Sequence, residues 1–102
     1  MTIVSIQNIP NQMFSTVLNG RVYRIALRTI QGMTYMSVWL DNEIVFYNQL
    51  CVPNSFVNPY NYVSSGGKFY FECDNEEYPN YTQFGNTQKL LFLTEDEVGQ
   101  IQ

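Results

Sequence analysis

The side chains of this 102-residue chain that could do chemistry are few, and histidine is absent. Without histidine, a serine or cysteine nucleophile lacks its commonest general base. Neither lysine, Lys68 or Lys89, stands in a recognisable nucleophile motif. A carboxylate pair such as Glu72 with Glu76 or Glu77 could formally hydrolyse a glycosidic bond, but acids in a solvated acidic stretch seldom have the raised pKa that a general acid needs. The sequence therefore predicts that the chain is not an enzyme.

The residues that could bind a metal or a cofactor are also poorly placed. Cys51 and Cys73 lie far apart in the sequence with no histidine nearby, which does not make a zinc site. Asp74, Glu76 and Glu77 could collect calcium on a loop, but their spacing lacks the glycine and the distal bidentate acid of an EF-hand. We expect no metal, no cofactor and no catalytic residue. Both cysteines stand where small apolar residues would fit, so we expect two buried free thiols.

Composition and charge narrow the range of partners. Charged residues make up 14% of the chain and aromatic residues 16%, whereas an ordinary soluble domain has about 25% charged residues. A weakly charged surface rich in amides and rings is typical of a protein covered by partners. The net charge is −4, with three arginines in the first third of the chain and seven of the nine acids after Phe71. This separation does not suit a phosphate backbone, and we expect no nucleic-acid recognition.

The same separation of charge favours contacts between complementary patches of neighbouring subunits, so we expect self-association. The alternative is that acids near a C-terminus simply keep the chain soluble. No apolar run approaches the length of a membrane span, and the N-terminus has no secretory leader. We therefore expect no membrane partner, and a chain that is held in a cytosol until it is assembled.

Hydrophobic alternation with a period of two dominates the sequence and predicts a single all-β domain over residues 1–102. Asn19-Gly20 is the strongest short hairpin signal, because both residues tolerate positive φ. We predict strands at 2–6, 13–18, 21–29, 33–40, 43–50, 68–74 and 89–93. The four strands from 13 to 50 form a meander, and with the two later strands they predict a small antiparallel barrel or sandwich.

Two long loops, 53–67 and 75–88, carry many aromatic residues, which argues against disorder. The unbroken apolar run of the last strand suits either a strand covered on both faces or an edge strand that pairs with another subunit. The acidic tail, 94–102, begins with Thr94 in a plausible N-cap position, and we expect one short or frayed helical turn there.

Four irregular blocks between the strands carry a family resemblance: Pro10-Asn11-Gln12, Cys51-Val52-Pro53, Pro59-Tyr60 and Phe84-Gly85-Asn86-Thr87-Gln88. In this order and spacing, the sequence resembles the small plug protein of the baseplate hub in contractile-tailed phages, a family first recognised in cyanophages. The resemblance runs from about Ile9 to Leu93. The blocks at 51–53 and 84–88 carry most weight, because they lie in or beside loops, where we expect no core to dictate residue identity.

The resemblance implies a non-enzymatic structural protein of the virion, lodged in the tail baseplate after assembly in the host cytoplasm. Its implied partners are the baseplate hub and the tail-tube or tube-initiator proteins. It would act by packing, closing or bridging the lumen until contraction displaces it. The tail after Thr94 is longer than the family pattern.

The residues predicted to make these contacts lie in the loops and the last strand, because desolvated aromatic residues dominate interface energies and an edge strand adds to a neighbouring sheet. They are Tyr60, Tyr62, Tyr81, Phe84, Leu91 and Leu93. The leading alternative is a small carbohydrate-binding β module, since Tyr, Trp and Asn are suitable residues for a sugar site and such a module needs little charge.

Overall fold

Two four-stranded antiparallel sheets make up most of the structure. The computed structural model describes residues 1–57 and 67–101. The strands are β1 (Thr2–Val4), β2 (Asn11–Leu18), β3 (Arg21–Ile30), β4 (Met33–Leu40), β5 (Glu43–Leu50), β6 (Ser55–Phe56), β7 (Gly67–Cys73) and β8 (Gln88–Thr94), followed by helix α1 (Glu95–Ile101). One sheet has the order β2-β3-β4-β5 and the other β1-β8-β7-β6. The predicted all-β fold class and the four-strand meander are confirmed.

The four strands of the meander are joined by three two-residue turns in which both residues have positive φ. Paired positive φ values give a hairpin turn whose twist matches that of the flanking strands, so the strands continue in register on both sides. β2 pairs with β3 without interruption from Asn11 opposite Arg28 to Leu18 opposite Arg21. The turn residues are Asn19 and Gly20 (52° and 77°), Gln31 and Gly32 (52° and 78°), and Asp41 and Asn42 (50° and 69°).

The second sheet differs from the prediction in two places. β6 lies inside the predicted loop 53–67, where Ser55 pairs with Phe71 and Phe56 with Tyr70. A two-residue strand has no alternation to detect, so the surrounding turn formers concealed it. β8 lies between β1 and β7, so the interpretation of its apolar run as an edge strand was wrong. The other interpretation, a strand covered on both faces, is confirmed, since the four residues from Leu90 to Leu93 are all buried.

Rings from both sheets meet in one core. The ring of Tyr23 in β3 lies 5.7 Å from that of Phe69 and 5.3 Å from that of Phe92, between centroids. None of the three is more than 2% exposed, and truncating a ring in such a place typically costs about 3–5 kcal/mol. Gly67 is required where β7 enters this core, because a Cβ atom there would lie 2.3 Å from the carbonyl oxygen of Leu93.

The loop 75–88 is built around Gln88, which is 1% exposed. Its side-chain oxygen accepts a hydrogen bond from the Asn80 N–H at 2.8 Å, and its amide donates to the Tyr78 carbonyl at 3.0 Å. Thr34 of the meander donates to the Pro79 carbonyl at 2.8 Å. These bonds attach the loop to both sheets.

The residue block 84–88 therefore has structural reasons for its identities, and the expectation that no core dictates them was wrong. Phe84 is 2% exposed and its ring lies 5.8 Å from that of Phe71. Gly85 takes a φ of +79°, and its N–H donates to the Gln88 carbonyl at 2.7 Å.

Helix α1 begins at a reciprocal capping box. The Thr94 N–H donates to the Glu97 carboxylate at 3.0 Å, and the Glu97 N–H donates to the Thr94 hydroxyl at 3.4 Å. Val98 then packs on Leu91 and Leu93. The helix thereby covers the side of β8 that faces away from the main core.

Candidate interaction surface

The meander has an outer face, formed by the side chains of β2, β3, β4 and β5 that point away from the core. The inward residues of β3, Tyr23, Ile25 and Leu27, are at most 1% exposed, so the residues between them point outward. This outer face is apolar for a surface, because its large aliphatic and aromatic side chains remain accessible. They include Met13 (62%), Val17 (66%), Val22 (52%), Ile44 (54%) and Tyr47 (59%).

A row of paired residues crosses the outer face near the Asp41-Asn42 turn. Ser15 lies opposite Arg24, Arg24 opposite Trp39, and Trp39 opposite Ile44. The Arg24 guanidinium carbon lies 5.0 Å from the centre of the Trp39 ring, which is the geometry of a cation–π contact. Trp and Arg are the residues most enriched among those that dominate interface energies. This pair is therefore the part of the outer face that is best suited to anchor a partner.

A bulge in β5 limits the outer face on one side. The register between β4 and β5 shifts on both sides of Val38, and Asn48 takes a φ of +50°. Its N–H donates to the Ser37 hydroxyl at 2.9 Å, while its buried side-chain oxygen has no hydrogen-bond partner in the described structure. A bulge of this kind hinders pairing with another chain at that edge.

The opposite edge of the meander, β2, has no such protection. Its eight residues, Asn11–Leu18, contain no charge and no proline, and they pair with β3 without a bulge. Within the described ranges, no strand pairs with its other side. Natural proteins usually protect an exposed edge with charge, proline or a bulge, and an edge without these can accept another strand.

Arg24 and Arg28 are the charged side chains that project outward from the strands of the outer face. Arg21 forms an exposed ion pair with Asp41 at 3.0 Å, at the end of the meander. Arg24 and Arg28 project from the same strand farther along, are exposed, and form no ion pair with any described residue. The outer face is thus an apolar surface with two cations that form no ion pair among the described residues. Asp41, which pairs with Arg21, lies beside Arg24 at the edge of this face.

An acidic patch follows β7 in the other sheet and consists of Asp74, Glu76 and Glu77 with the neighbouring Tyr78. The three acids are exposed, and the Tyr78 ring is 47% exposed. Glu72 is not part of the patch, because it lies opposite Lys89 in the register of β7 and β8. The patch is held in place by its surroundings, since the Asp74 N–H donates to the Thr87 carbonyl and Gln88 holds Tyr78.

Four of the six residues predicted for subunit contacts lie within the described ranges. Tyr60 and Tyr62 lie outside the described residues. Tyr81 is half-buried and packs against the main core, and Phe84 belongs to that core. Leu91 and Leu93 are 4% and 5% exposed, beneath α1. Their role at an interface stays a prediction.

Sequence reasoning did not assign the outer face, although a signal for it was present. Trp39 and Tyr35 alternate with the core residues of β4, which left open whether they were core or exposed to a partner. The structure places both, partly exposed, on the outer face. Met13 and Val17 alternate with inward residues in the same way. Apolar residues on both sides of a strand with a single core behind it indicate a second covered face.

The thiols and carboxylates were the side chains that the sequence offered for chemistry, and the structure describes the surroundings of both cysteines. Both cysteines are free and buried, as predicted. Burial raises the pKa of the Cys51 thiol far above its usual value, and burial also raises that of Cys73 despite a backbone hydrogen bond with Asn54 that lowers it. Among the described residues, no three potential metal ligands cluster. No helix in the described ranges is long and apolar enough to cross a membrane.

Together, the fold and the surface define a small antiparallel β protein with one exposed, largely apolar sheet face. The chain matches, over residues 1–95, the family described as the cyanophage baseplate Pam3 plug gp18. It belongs to this family of phage baseplate plug proteins, and the predicted resemblance is confirmed. The protein is thus a structural component of a phage baseplate, located in the virion tail and associated with other baseplate components. No curated protein is significantly similar to the chain. The matched range ends at Glu95, where α1 begins.

Proposed function

We propose that this protein completes the baseplate hub of a contractile tail at the end of the tail tube, and that it acts by packing and not by catalysis. The observation that carries the proposal is the outer face, an apolar sheet surface with the Arg24–Trp39 pair on its two central strands. A subunit that acts by packing must be held by its contact surfaces, and this face offers apolar area together with a Trp and an Arg, the residue types that dominate interface energies.

The size of the outer face suits a specific protein contact. Four strands at a spacing of about 4.8 Å and eight residues at about 3.4 Å each cover roughly 19 Å by 27 Å. The flat area of the face is thus roughly 500 Å², and its accessible area is larger because side chains project from it. The accessible area is therefore on the scale of one partner's share of a standard interface, about 800 Å².

The proposed partners are the baseplate hub and the tail-tube or tube-initiator proteins. The unprotected edge of β2 offers them backbone hydrogen bonds through strand addition, with alternate side chains setting specificity. Tyr60, Tyr62 and Tyr81 remain proposed aromatic anchors. Leu91 and Leu93 become available to a partner only if α1 moves away, and Phe84 only if the core opens. Assembly takes place in the host cytoplasm under this proposal.

The test is incorporation of variants into tails by complementation. Val22→Ser combined with Ile44→Ser changes two exposed side chains of the outer face, and we expect this variant to melt like the wild type but to be lost from purified baseplates. Ile3→Ser is the matched control, because Ile3 is an aliphatic residue of the other sheet with 61% exposure. Normal incorporation of the double variant would contradict the proposal. Binding to a glycan array, abolished by the same double variant, would instead favour the carbohydrate-binding alternative.

A further inference from the structure

We propose that the outer face receives the acidic patch of a second copy of this chain, so that copies associate head to tail. The inference rests on the proposed function only in taking the outer face as an interaction surface. The two surfaces are different parts of the molecule: one is the outer face of β2–β5, and the other follows β7 in the second sheet. Among the described residues, no ion pair joins the two surfaces within one copy.

Charge complementarity identifies the occupant. The outer face presents Arg24 and Arg28 without a described ion-pair partner, and the acidic patch presents Asp74, Glu76 and Glu77 in the same condition. The chain has nine acids and five bases and is therefore negative overall. The outer face, with two unpaired cations and no unpaired acid, has the opposite sign. Complementary patches of this kind set partner choice and orientation.

The two surfaces also match in their apolar components. Tyr78 stands beside the acids with 47% exposure, and a tyrosine is an effective anchor once it is desolvated. On the outer face, Val22 and Ile44 flank the Arg24–Trp39 row and are about half exposed. The acidic patch can therefore bring one ring onto an apolar surface while its carboxylates meet the two guanidinium groups.

A symmetric dimer through the outer face is disfavoured by the same charges. Placing two outer faces together would bring Arg24 and Arg28 of each copy near those of the other, and like charges across an interface are costly. A head-to-tail contact between two different patches closes into a ring when the rotation allows it and otherwise gives an open array. The expected assembly is therefore larger than a dimer.

The experiment compares charge-reversal variants of the purified full-length chain by sedimentation velocity. The face-reversed variant is Arg24→Glu with Arg28→Glu, and the patch-reversed variant is Glu76→Lys with Glu77→Lys. We expect the wild type to associate with rising concentration up to about 1 mM, the weak end of specific binding, and less in high salt. Each variant alone should associate more than about tenfold more weakly. An equimolar mixture of the two should regain association, because each supplies the charge that the other has lost.

Two further variants keep the result interpretable. Asp96→Lys reverses an exposed acid of α1, outside the acidic patch, and should associate like the wild type. Glu76→Gln with Glu77→Gln removes charge without reversing it. If the patch-reversed variant does not fold, this neutral variant alone should associate more weakly than the wild type, and the mixing test is then omitted. A wild type that stays monomeric throughout the range overturns the inference, and so does a patch variant that associates normally while the face variant does not. Neither result depends on whether outer-face variants are lost from baseplates, so the two proposals fail separately.

Discussion

Replacing Gln88 by Met tests whether the loop 75–88 is a structural part of the fold. The substitution keeps the length and nearly the volume of the side chain but removes both of its hydrogen bonds. The Asn80 N–H and the Tyr78 carbonyl then lose partners at 2.8 and 3.0 Å. Each unsatisfied group costs about 1–3 kcal/mol when it is kept from water, and Met regains part of this through apolar burial at a site with 1% exposure. We expect a net loss of about 2–4 kcal/mol in the free energy of unfolding.

Urea unfolding followed by tyrosine and tryptophan fluorescence measures this loss. For a chain of about this size, each kcal/mol lowers the melting temperature by about 4–8 °C, so a thermal melt should show a fall of roughly 8–30 °C. Gln83→Met is the matched control, because Gln83 lies in the same loop and its side chain accepts bonds only from Asn86 and Thr87, at 3.3 Å. If Gln88→Met unfolds within about 0.5 kcal/mol of the wild type, a range typical of surface substitutions, the loop is not held in the way described.

Two further predictions concern the thiols and the terminal helix. Stability should decline as pH rises above about 9, because thiols in the unfolded chain ionise near their ordinary pKa of 9.0, whereas burial raises the pKa of Cys51 and Cys73 in the folded state. The stabilisation is complete below that pH and is lost at up to about 1.4 kcal/mol per thiol and pH unit above it. Urea midpoints from pH 7 to 10 check this, and a Cys51→Ala variant with an equally steep decline would contradict it. Val98→Asp should release α1, because a carboxylate replaces an apolar side chain that is 7% exposed and packs on Leu91 and Leu93. Amide hydrogen exchange should become faster in 95–101 and stay unchanged in the paired residues of β3 and β4. Unaltered exchange in α1 would refute the packing.

The meander could be predicted from the sequence because local signals coincide there. Each pair of strands is joined by two residues that tolerate positive φ, as at Asn19 and Gly20, and the inward positions alternate without interruption over eight or more residues. Turn chemistry and hydrophobic period then point to the same structure, which is the condition under which a sequence specifies a local fold.

The second sheet was harder to predict because its order depends on contacts between distant residues. Nothing local in the run from Leu90 to Leu93 distinguishes a central strand from an edge strand. Its position between β1 and β7 follows from the pairing of Val4 with Leu90 and of Phe71 with Leu90. The loop block at 84–88 was misread for a similar reason, since the partner that buries Phe84 is Phe71, in a different strand.

The candidate surface could be predicted only in part. The alternation of apolar residues on both sides of β2 and β4 indicates two covered faces, but it does not say which face meets the core and which meets a partner. The aromatic residues of the loops were the more conspicuous choice, yet the structure buries Phe84 in the core and half-buries Tyr81. Exposure, which decides the question, is a property of the folded chain.

Thiol labelling in the assembled tail shows whether a partner covers the outer face. Both native cysteines are buried and have raised pKa values, so they contribute little background, and a single reporter can be introduced as Val22→Cys on the outer face or Ile3→Cys on the other sheet. Both reporters should react rapidly with a maleimide in the isolated protein. In intact baseplates, we expect the reporter at position 22 to be protected from the maleimide, because a partner covers it. Labelling of that reporter in the particle at the rate of the isolated chain would show that no partner covers the outer face.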